Sequence, residues 1–120
     1  MDKFQVLQSF WEGFGLPAYD ADTVPDEAQL PYITYSPVWD DFGQTTMMNA
    51  SIWYRSNKWA EITRKAEQIS DMITRGGKVL NYDSGALWIK KGTPWAQRMG
   101  DPEDDSIRRI LLNIEVEYFN

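Results

Sequence analysis

Apolar residues recur at intervals of three and four along two stretches of the chain, which is the spacing of one face of an α-helix. The first stretch, Lys3 to Phe14, places Phe4, Leu7, Trp11 and Phe14 on that face. Two glycines and Pro17 follow it, and such residues commonly end helices. We therefore predict a first helix from Lys3 to Phe14 with a buried aromatic face.

A second and more regular helix is predicted from Lys58 to Arg75. Its apolar stripe consists of one tryptophan, three isoleucines and an alanine: Trp59, Ile62, Ala66, Ile69 and Ile73. Ser56 or Asn57 is expected to cap its start and Gly76-Gly77 to end it. This stripe should face a β-sheet.

Alternating apolar and polar residues with β-branched and aromatic side chains predict five strands. The predicted strands are Pro31 to Trp39, Gln44 to Tyr54, Lys78 to Tyr82, Ala86 to Lys91 and Ser106 to Phe119. The last is the most regular, and its apolar face consists of Ile110, Leu112, Ile114, Val116 and Tyr118. Ala18 to Gln29 and Gly92 to Asp105 follow neither period and are predicted to be irregular.

The order of these elements is helix, hairpin, helix, hairpin and long strand. Hairpins favour antiparallel pairing, and an amphipathic helix buries its stripe on one face of such a sheet. The fold class predicted is α+β, with a mainly antiparallel sheet and two helices packed on one face. The 120 residues are expected to form a single domain, 1–120.

Composition narrows the possible functions further. The chain contains no Cys and no His, but it contains six Trp, six Tyr and five Phe. Without His or Cys it lacks the commonest general bases, nucleophiles and zinc ligands, so we expect no enzyme, no catalytic residue, no bound metal and no cofactor. Large aromatic side chains are suited to protein contacts. The sequence therefore favours a protein that binds and assembles.

Charge is unevenly distributed along the chain, whose net charge is −6. Residues 1–44 carry a net charge of −7, and residues 45–120 carry a net charge of +1. This asymmetry is either ordinary surface charge or a device that steers the acidic face of one copy toward a more basic face of another. The acidic balance argues against sequence-specific nucleic-acid binding. The absence of a long apolar run or signal peptide leads us to expect no membrane partner and synthesis in the cytoplasm.

Three groups of residues could carry chemistry, and each has a simpler interpretation. The acids from Asp101 to Asp105 lack the spacing of a calcium loop and are interpreted as a solvated loop. Asp40 and Asp41 are adjacent turn residues, which an acid–base pair would not be. A serine–lysine pair is the nucleophilic arrangement left open, although no motif indicates one.

Trp95 lies in the predicted irregular segment, where periodicity assigns it no core position. Two interpretations are open: it folds back onto its own core, or it contacts a partner. On the second interpretation, Trp95, Gln97, Arg98 and Met99 form a contact surface between subunits or with another protein. We assign Trp39, Asp40 and Asp41 to the same predicted interface.

Taken in order, short stretches along nearly the whole chain resemble one family. The stretches are Gly15-Leu16-Pro17-Ala18-Tyr19, Val24-Pro25-Asp26, Leu30-Pro31-Tyr32-Ile33-Thr34-Tyr35, Trp53-Tyr54-Arg55-Ser56, Lys58-Trp59-Ala60-Glu61-Ile62, Gly76-Gly77, Ala86-Leu87-Trp88-Ile89, Pro94-Trp95-Ala96-Gln97 and Gly100-Asp101-Pro102. In this order they resemble the tail-terminator proteins of long-tailed, non-contractile phages and prophages, the minor tail protein U-like group.

The resemblance implies a virion structural protein at the neck-proximal end of the tail. It implies a homo-oligomeric ring, usually a hexamer, that caps the tail tube, stops its polymerisation and meets the head-side connector or stopper protein. Two alternatives stay open: a head-completion or stopper protein of the neck, and a small non-enzymatic domain that binds a peptide or ligand on its sheet. A small enzyme is disfavoured because His and Cys are absent.

Overall fold

The computed structural model describes residues 1–119, which form two helices and six strands. The helices are α1 (Lys3–Glu12) and α2 (Ala60–Ile73). The strands are β1 (Ala18–Asp20), β2 (Tyr32–Tyr35), β3 (Thr45–Arg55), β4 (Lys78–Tyr82), β5 (Gly85–Gly100) and β6 (Ile107–Phe119). No helix within residues 1–119 has the length and apolar character needed to cross a membrane.

All six strands form one sheet in the order β1-β2-β3-β6-β5-β4. β1 runs parallel to β2, and every other neighbouring pair is antiparallel. The longest uninterrupted ladder joins β3 to β6, from Thr45 opposite Glu117 to Arg55 opposite Ile107. These pairings confirm the predicted α+β class and its mainly antiparallel sheet.

The core lies between the helices and one face of the sheet. The predicted apolar face of β6 is buried as expected at Ile110, Leu112, Ile114, Val116 and Tyr118. From α2, Ile62, Ala66, Ile69 and Ile73 are buried in the same cluster, which confirms the predicted stripe. Trp59 is only half-buried and lies at the start of the helix, packed against this core.

Helix α1 packs against both edge strands of a curled sheet, contacting β1 on one side and β4 on the other. The carboxylate of Asp2 accepts hydrogen bonds from the backbone N–H groups of Phe4 and Gln5, and the Gln5 side chain accepts from Asp2 N–H. This reciprocal cap satisfies donors that the first helical turn would leave free. Beyond the helix, the Lys65 amine donates to the carbonyl oxygen of Phe14 at 2.7 Å and so links the end of this segment to α2.

Two segments predicted to be irregular contain strands. Ala18–Asp20 forms β1, because it pairs with residues 33–35 of β2. The segment from Gly92 onward continues β5 as far as Gly100, because pairing with β6 resumes at Ala96 opposite Leu112. Residues 92–95 form a bulge, which the Asn113 amide closes by donating to the Pro94 carbonyl at 2.8 Å. Glycine and proline therefore mark a bulge here rather than the end of a strand.

The predicted caps of α2 were also partly wrong. The N-cap residue is Trp59, with no side-chain capping hydrogen bond, and neither Ser56 nor Asn57 caps the helix. Ser56 instead accepts a hydrogen bond from Lys58 N–H, which lies before the first residue of the helix. At the other end the helix stops at Ile73, and the backbone has a positive φ at both Thr74 and Gly77.

Candidate interface surfaces

The loop between β2 and β3 presents two large aromatic side chains and two carboxylates to solvent. Trp39 is 61% exposed and Phe42 is 65% exposed, and Asp40 and Asp41 between them are exposed as well. These four residues constitute what we call the acidic aromatic loop. Side chains of this size are usually buried, so their exposure together is informative.

Hydrogen bonds to the sheet anchor both sides of the acidic aromatic loop. The Tyr118 hydroxyl donates to the carbonyl oxygen of Val38, and the carbonyl oxygen of Tyr118 accepts from Gly43 N–H at 2.9 Å. Both sides of the loop are thus fixed to one residue of β6. The loop therefore offers its side chains from a rigid support, as binding loops commonly do.

Aromatic packing adds to this support. Phe4 of α1 meets Trp39 edge to face with 5.4 Å between ring centroids, and Phe42 meets Phe119 in the same way at 5.8 Å. Phe4 is itself substantially exposed. The apolar surface at this end of the molecule therefore extends from the loop onto helix α1.

A second cluster, of arginines and tryptophans, lies where β3 ends and β6 begins. The Arg98 and Arg108 guanidinium carbons lie 4.9 and 5.3 Å from the ring centroid of Trp59, and that of Arg109 lies 4.7 Å from Trp53. We call Trp59, Arg98 and Arg108, which lie on the helix side of the sheet, the arginine cluster; Trp53 and Arg109 lie on its outer side. Stacking on an indole orients a guanidinium while leaving its N–H groups available at the edges.

Hydrogen bonds fix the Trp53–Arg109 pair on the outer side of the sheet. The Trp53 indole N–H donates to Thr34 Oγ1 at 2.9 Å, and Arg109 Nε donates to Ser51 Oγ at 3.0 Å. Both acceptors are buried hydroxyl side chains. The Arg109 guanidinium thus uses one nitrogen internally and keeps its remaining donors.

The acidic loop between β5 and β6 forms an ion pair with an arginine outside the arginine cluster. Asp104 lies 3.2 Å from Arg55 Nη1. Hydrogen bonds from the Ser106 hydroxyl and N–H, together with one from Arg55, hold the pKa of Asp104 below its usual range. Within residues 1–119, no carboxylate lies within 4.0 Å of the Arg98, Arg108 or Arg109 guanidinium nitrogens.

The residues predicted as an interface fall into two separate groups. Trp39, Asp40 and Asp41 belong to the acidic aromatic loop, and Arg98 belongs to the arginine cluster. Gln97 and Met99 are neighbours of Arg98 on β5, opposite Leu111 and Arg109 of β6. Successive strand residues face opposite sides of the sheet. Arg98 therefore lies on the side of the helices, whereas Gln97 and Met99 lie on the outer side. Phe42 and the two stacked tryptophans were not predicted.

Trp95 lies in the bulge of β5, and its half-buried indole packs against the protein's own core. Its Nε1 atom is buried and has no hydrogen-bond partner within residues 1–119. The first of the two interpretations, folding back onto the core, therefore describes its packing. Its role at an interface stays a prediction.

Three features bear on the residues that could carry chemistry. Within residues 1–119, no group of three or more Asp and Glu side chains is arranged to hold a metal ion. Lys91 Nζ donates to Ser70 Oγ at 2.8 Å, but this pair lies between α2 and the sheet, and Ser70 is buried. A cavity of about 510 Å³ between α1 and β4 contains a single ionisable side chain, Lys78. The Ser70–Lys91 pair is of the serine–lysine type that the sequence left open, and its serine is buried.

Comparison with known proteins bears on the fold. No protein-family model matches the chain, and no curated protein matches it. Among solved structures, it is similar to a chain of the virion of a native gene transfer agent particle. The TM-score is 0.58 at 21% sequence identity, and the match covers 96% of this chain and 85% of that chain. The two chains therefore share a fold over nearly their full lengths.

Proposed function

We propose that this protein is a non-enzymatic structural subunit of a virion tail and acts as a tail terminator. Copies of it form a ring on the finished tail tube, end tube polymerisation and join the tube to the head-side connector. The observation that carries the proposal is the fold shared with a virion chain over 96% of this chain. The ordered sequence resemblance to tail-terminator proteins supports the same role independently.

Surface composition supports an assembling protein. The acidic aromatic loop exposes Trp39 and Phe42, residue types that are enriched where protein partners meet. The aromatic surface continues onto Phe4, so it forms a patch rather than one isolated side chain. A ring that buries this patch removes it from water and gains stability from doing so.

The presence of two different surfaces supports a ring in particular. A contact between unlike surfaces repeats from copy to copy and closes when the rotation at each step divides a full turn. A closed ring has two open faces, and a terminator uses one for the tube and the other for the connector. The acidic aromatic loop and the arginine cluster are unlike surfaces of this kind.

Tube polymerisation in the presence of this protein tests the proposal. Purified protein added to polymerising tail-tube protein should shorten the tubes, and electron micrographs should show a ring at one end of each tube. An unrelated acidic protein of similar size at the same concentration is the control and should leave the length distribution unchanged.

The same assay separates the tail terminator from the neck alternative. A head-completion or stopper protein would bind the portal-side connector and leave the tube lengths unaltered. Unaltered lengths at saturating protein, with no density at the tube ends, would contradict the terminator role.

A further inference from the structure

From the two surfaces, we infer that the acidic aromatic loop of one copy binds the arginine cluster of the next copy. The inference rests on the proposed ring and names the contact that holds it together. Trp39, Asp40, Asp41 and Phe42 supply one side of the contact. Arg98 and Arg108, stacked on Trp59, supply the other.

The two surfaces lie at opposite ends of the molecule. The loop lies next to the first residue of β3. Trp53 and Arg55 lie at the opposite end of this strand, where Arg108 and Arg109 at the start of β6 pair with it. β3 has 11 residues, which at about 3.3 Å per residue separates the ends by roughly 33 Å. The longest dimension of the molecule is 43 Å. The two surfaces therefore cannot contact each other within one copy.

The chemistry of the two surfaces is complementary. Arginine is the side chain that both pairs with carboxylates through two parallel hydrogen bonds and stacks on aromatic rings. The loop offers both partners, since Asp40 and Asp41 lie between Trp39 and Phe42 in the chain. Arg98 is exposed and, within residues 1–119, has no carboxylate within 4.0 Å.

Within residues 1–119, the acids of the β5–β6 loop form no ion pair with the cluster. Asp104 pairs with Arg55, and the Asp101 carboxylate accepts from Glu103 N–H at 2.9 Å. Asp105 contacts Arg108 through its backbone carbonyl rather than its carboxylate. The two guanidiniums stacked on Trp59 therefore keep hydrogen-bond donors for a carboxylate from another molecule.

Paired charge reversals test the contact. Asp40→Lys with Asp41→Lys disables the loop, and Arg98→Glu with Arg108→Glu disables the cluster. Each double variant should raise the concentration at which half the protein is assembled by about 100-fold or more, because like charges then face each other across the contact. Sedimentation velocity and native mass spectrometry measure this concentration.

Matched controls separate the contact from net charge and folding. Asp26→Lys with Glu27→Lys reverses two adjacent exposed acids in another loop, with the same change in net charge. Arg75→Glu with Lys78→Glu reverses two basic residues that follow α2, with the same change in net charge as the cluster variant. Both controls should assemble like the wild type, and circular dichroism melting should show that all variants are folded.

Mixing the two disabled variants gives the sharpest result. In a mixture, the intact cluster of the loop variant meets the intact loop of the cluster variant, and at the next contact the new lysines meet the new glutamates, so every contact between unlike variants joins opposite charges. An equimolar mixture should therefore recover assembly, with the two variants present in equal numbers. Each variant alone should stay monomeric at the same concentration.

The outcomes distinguish the contact from the function. Rings formed by either disabled variant as readily as by the wild type, or a mixture that stays monomeric, would overturn the contact while leaving the terminator role standing. A loop variant that forms rings but no longer binds tubes would assign the loop to the tube, which also overturns the contact. Wild-type rings that use this contact but leave tubes uncapped would overturn the function alone.

Discussion

Tyr118 links the core of the sheet to the acidic aromatic loop. Its side chain is fully buried, its hydroxyl donates to the Val38 carbonyl and its own carbonyl accepts from Gly43 N–H. Burial, with a smaller contribution from neighbouring Tyr82, raises the pKa of Tyr118 to about 12. The proton on this hydroxyl therefore contributes to both the fold and the position of the loop.

Alkaline unfolding of Tyr118→Phe tests this link. The folded-state pKa lies above the ordinary value of 10.0, so the stabilisation is complete below about pH 10 and is lost as pH rises toward 12. At about pH 8 the variant should be less stable by about 1–2 kcal/mol, because it lacks the hydrogen bond. The difference from the wild type should narrow in alkaline urea denaturation series. Tyr19→Phe on β1 is the control, and an unchanged difference would contradict the link.

Trp95→Ala tests the packing of the β5 bulge. Because the indole packs against the core and is half-buried, truncation should lower the free energy of unfolding by about 1–3 kcal/mol. The variant should still assemble in the cold, where it stays folded. Urea denaturation and native mass spectrometry measure the two effects. A variant with unchanged stability and weakened assembly would instead support the predicted interface role of Trp95.

At the scale of elements, the turn from α2 into β4 depends on one glycine of an adjacent pair. Gly77 has a φ of +83°, and a Cβ atom there would lie 2.4 Å from Trp88 Nε1 and 2.6 Å from the Ile89 carbonyl oxygen. Gly76 has no atom within 4 Å of such a Cβ. The Trp88 indole N–H donates to the Gly76 carbonyl at 2.9 Å. This hydrogen bond explains why the indole covers Gly77.

Alanine substitutions at the two glycines should therefore differ strongly. Gly77→Ala should destabilise the protein by about 2–4 kcal/mol, since it combines overpacking with a left-handed backbone. Gly76→Ala is the matched control and should change stability by less than about 0.5 kcal/mol. Thermal and urea denaturation compare them. Equal effects would show that Trp88 moves aside without cost.

Periodicity predicted the elements whose burial follows from their own sequence. The stripe of α2 and the alternation of β6 are both repeated several times, so helix and strand could be identified before any partner was known. β1 could not, because three residues become a strand only through pairing with β2. The continuation of β5 was missed because it depends on Asn113 of β6 closing the bulge.

The candidate interface was predictable to a similar degree. Asp40 and Asp41 are conspicuous as adjacent acids beside aromatic residues, and the uneven charge suggested contact between copies. The arginine cluster was not predicted as a unit, because Trp59, Arg98 and Arg108 are distant in sequence and come from a helix and two strands. Cross-strand pairing, rather than any sequence motif, brings them together.

At the scale of the whole molecule, the charge distribution and the elongated shape both favour head-to-tail contact between copies. The molecule measures 43 × 30 × 23 Å, and the ladder of β3 with β6 carries the acidic aromatic loop at one end and the arginine cluster at the other. Such an arrangement orients an approaching copy head to tail before contact, because opposite charges attract over about one Debye length. Assembly driven this way must respond to salt.

Salt dependence of assembly therefore tests the electrostatic part of the contact between copies. Raising ionic strength from about 0.01 M to 1 M shortens the Debye length from about 30 Å to 3 Å, so the wild type should need a higher concentration to assemble. Asp40→Asn with Asp41→Asn should flatten this dependence, because the loop then carries no charge. Asp26→Asn with Glu27→Asn, which removes the same charge elsewhere, should keep the wild-type dependence. Sedimentation velocity across a salt series measures all three proteins. Assembly of the wild type that strengthens steadily with salt would show that apolar burial, and not the pairing of Asp40 and Asp41 with arginines, governs the contact.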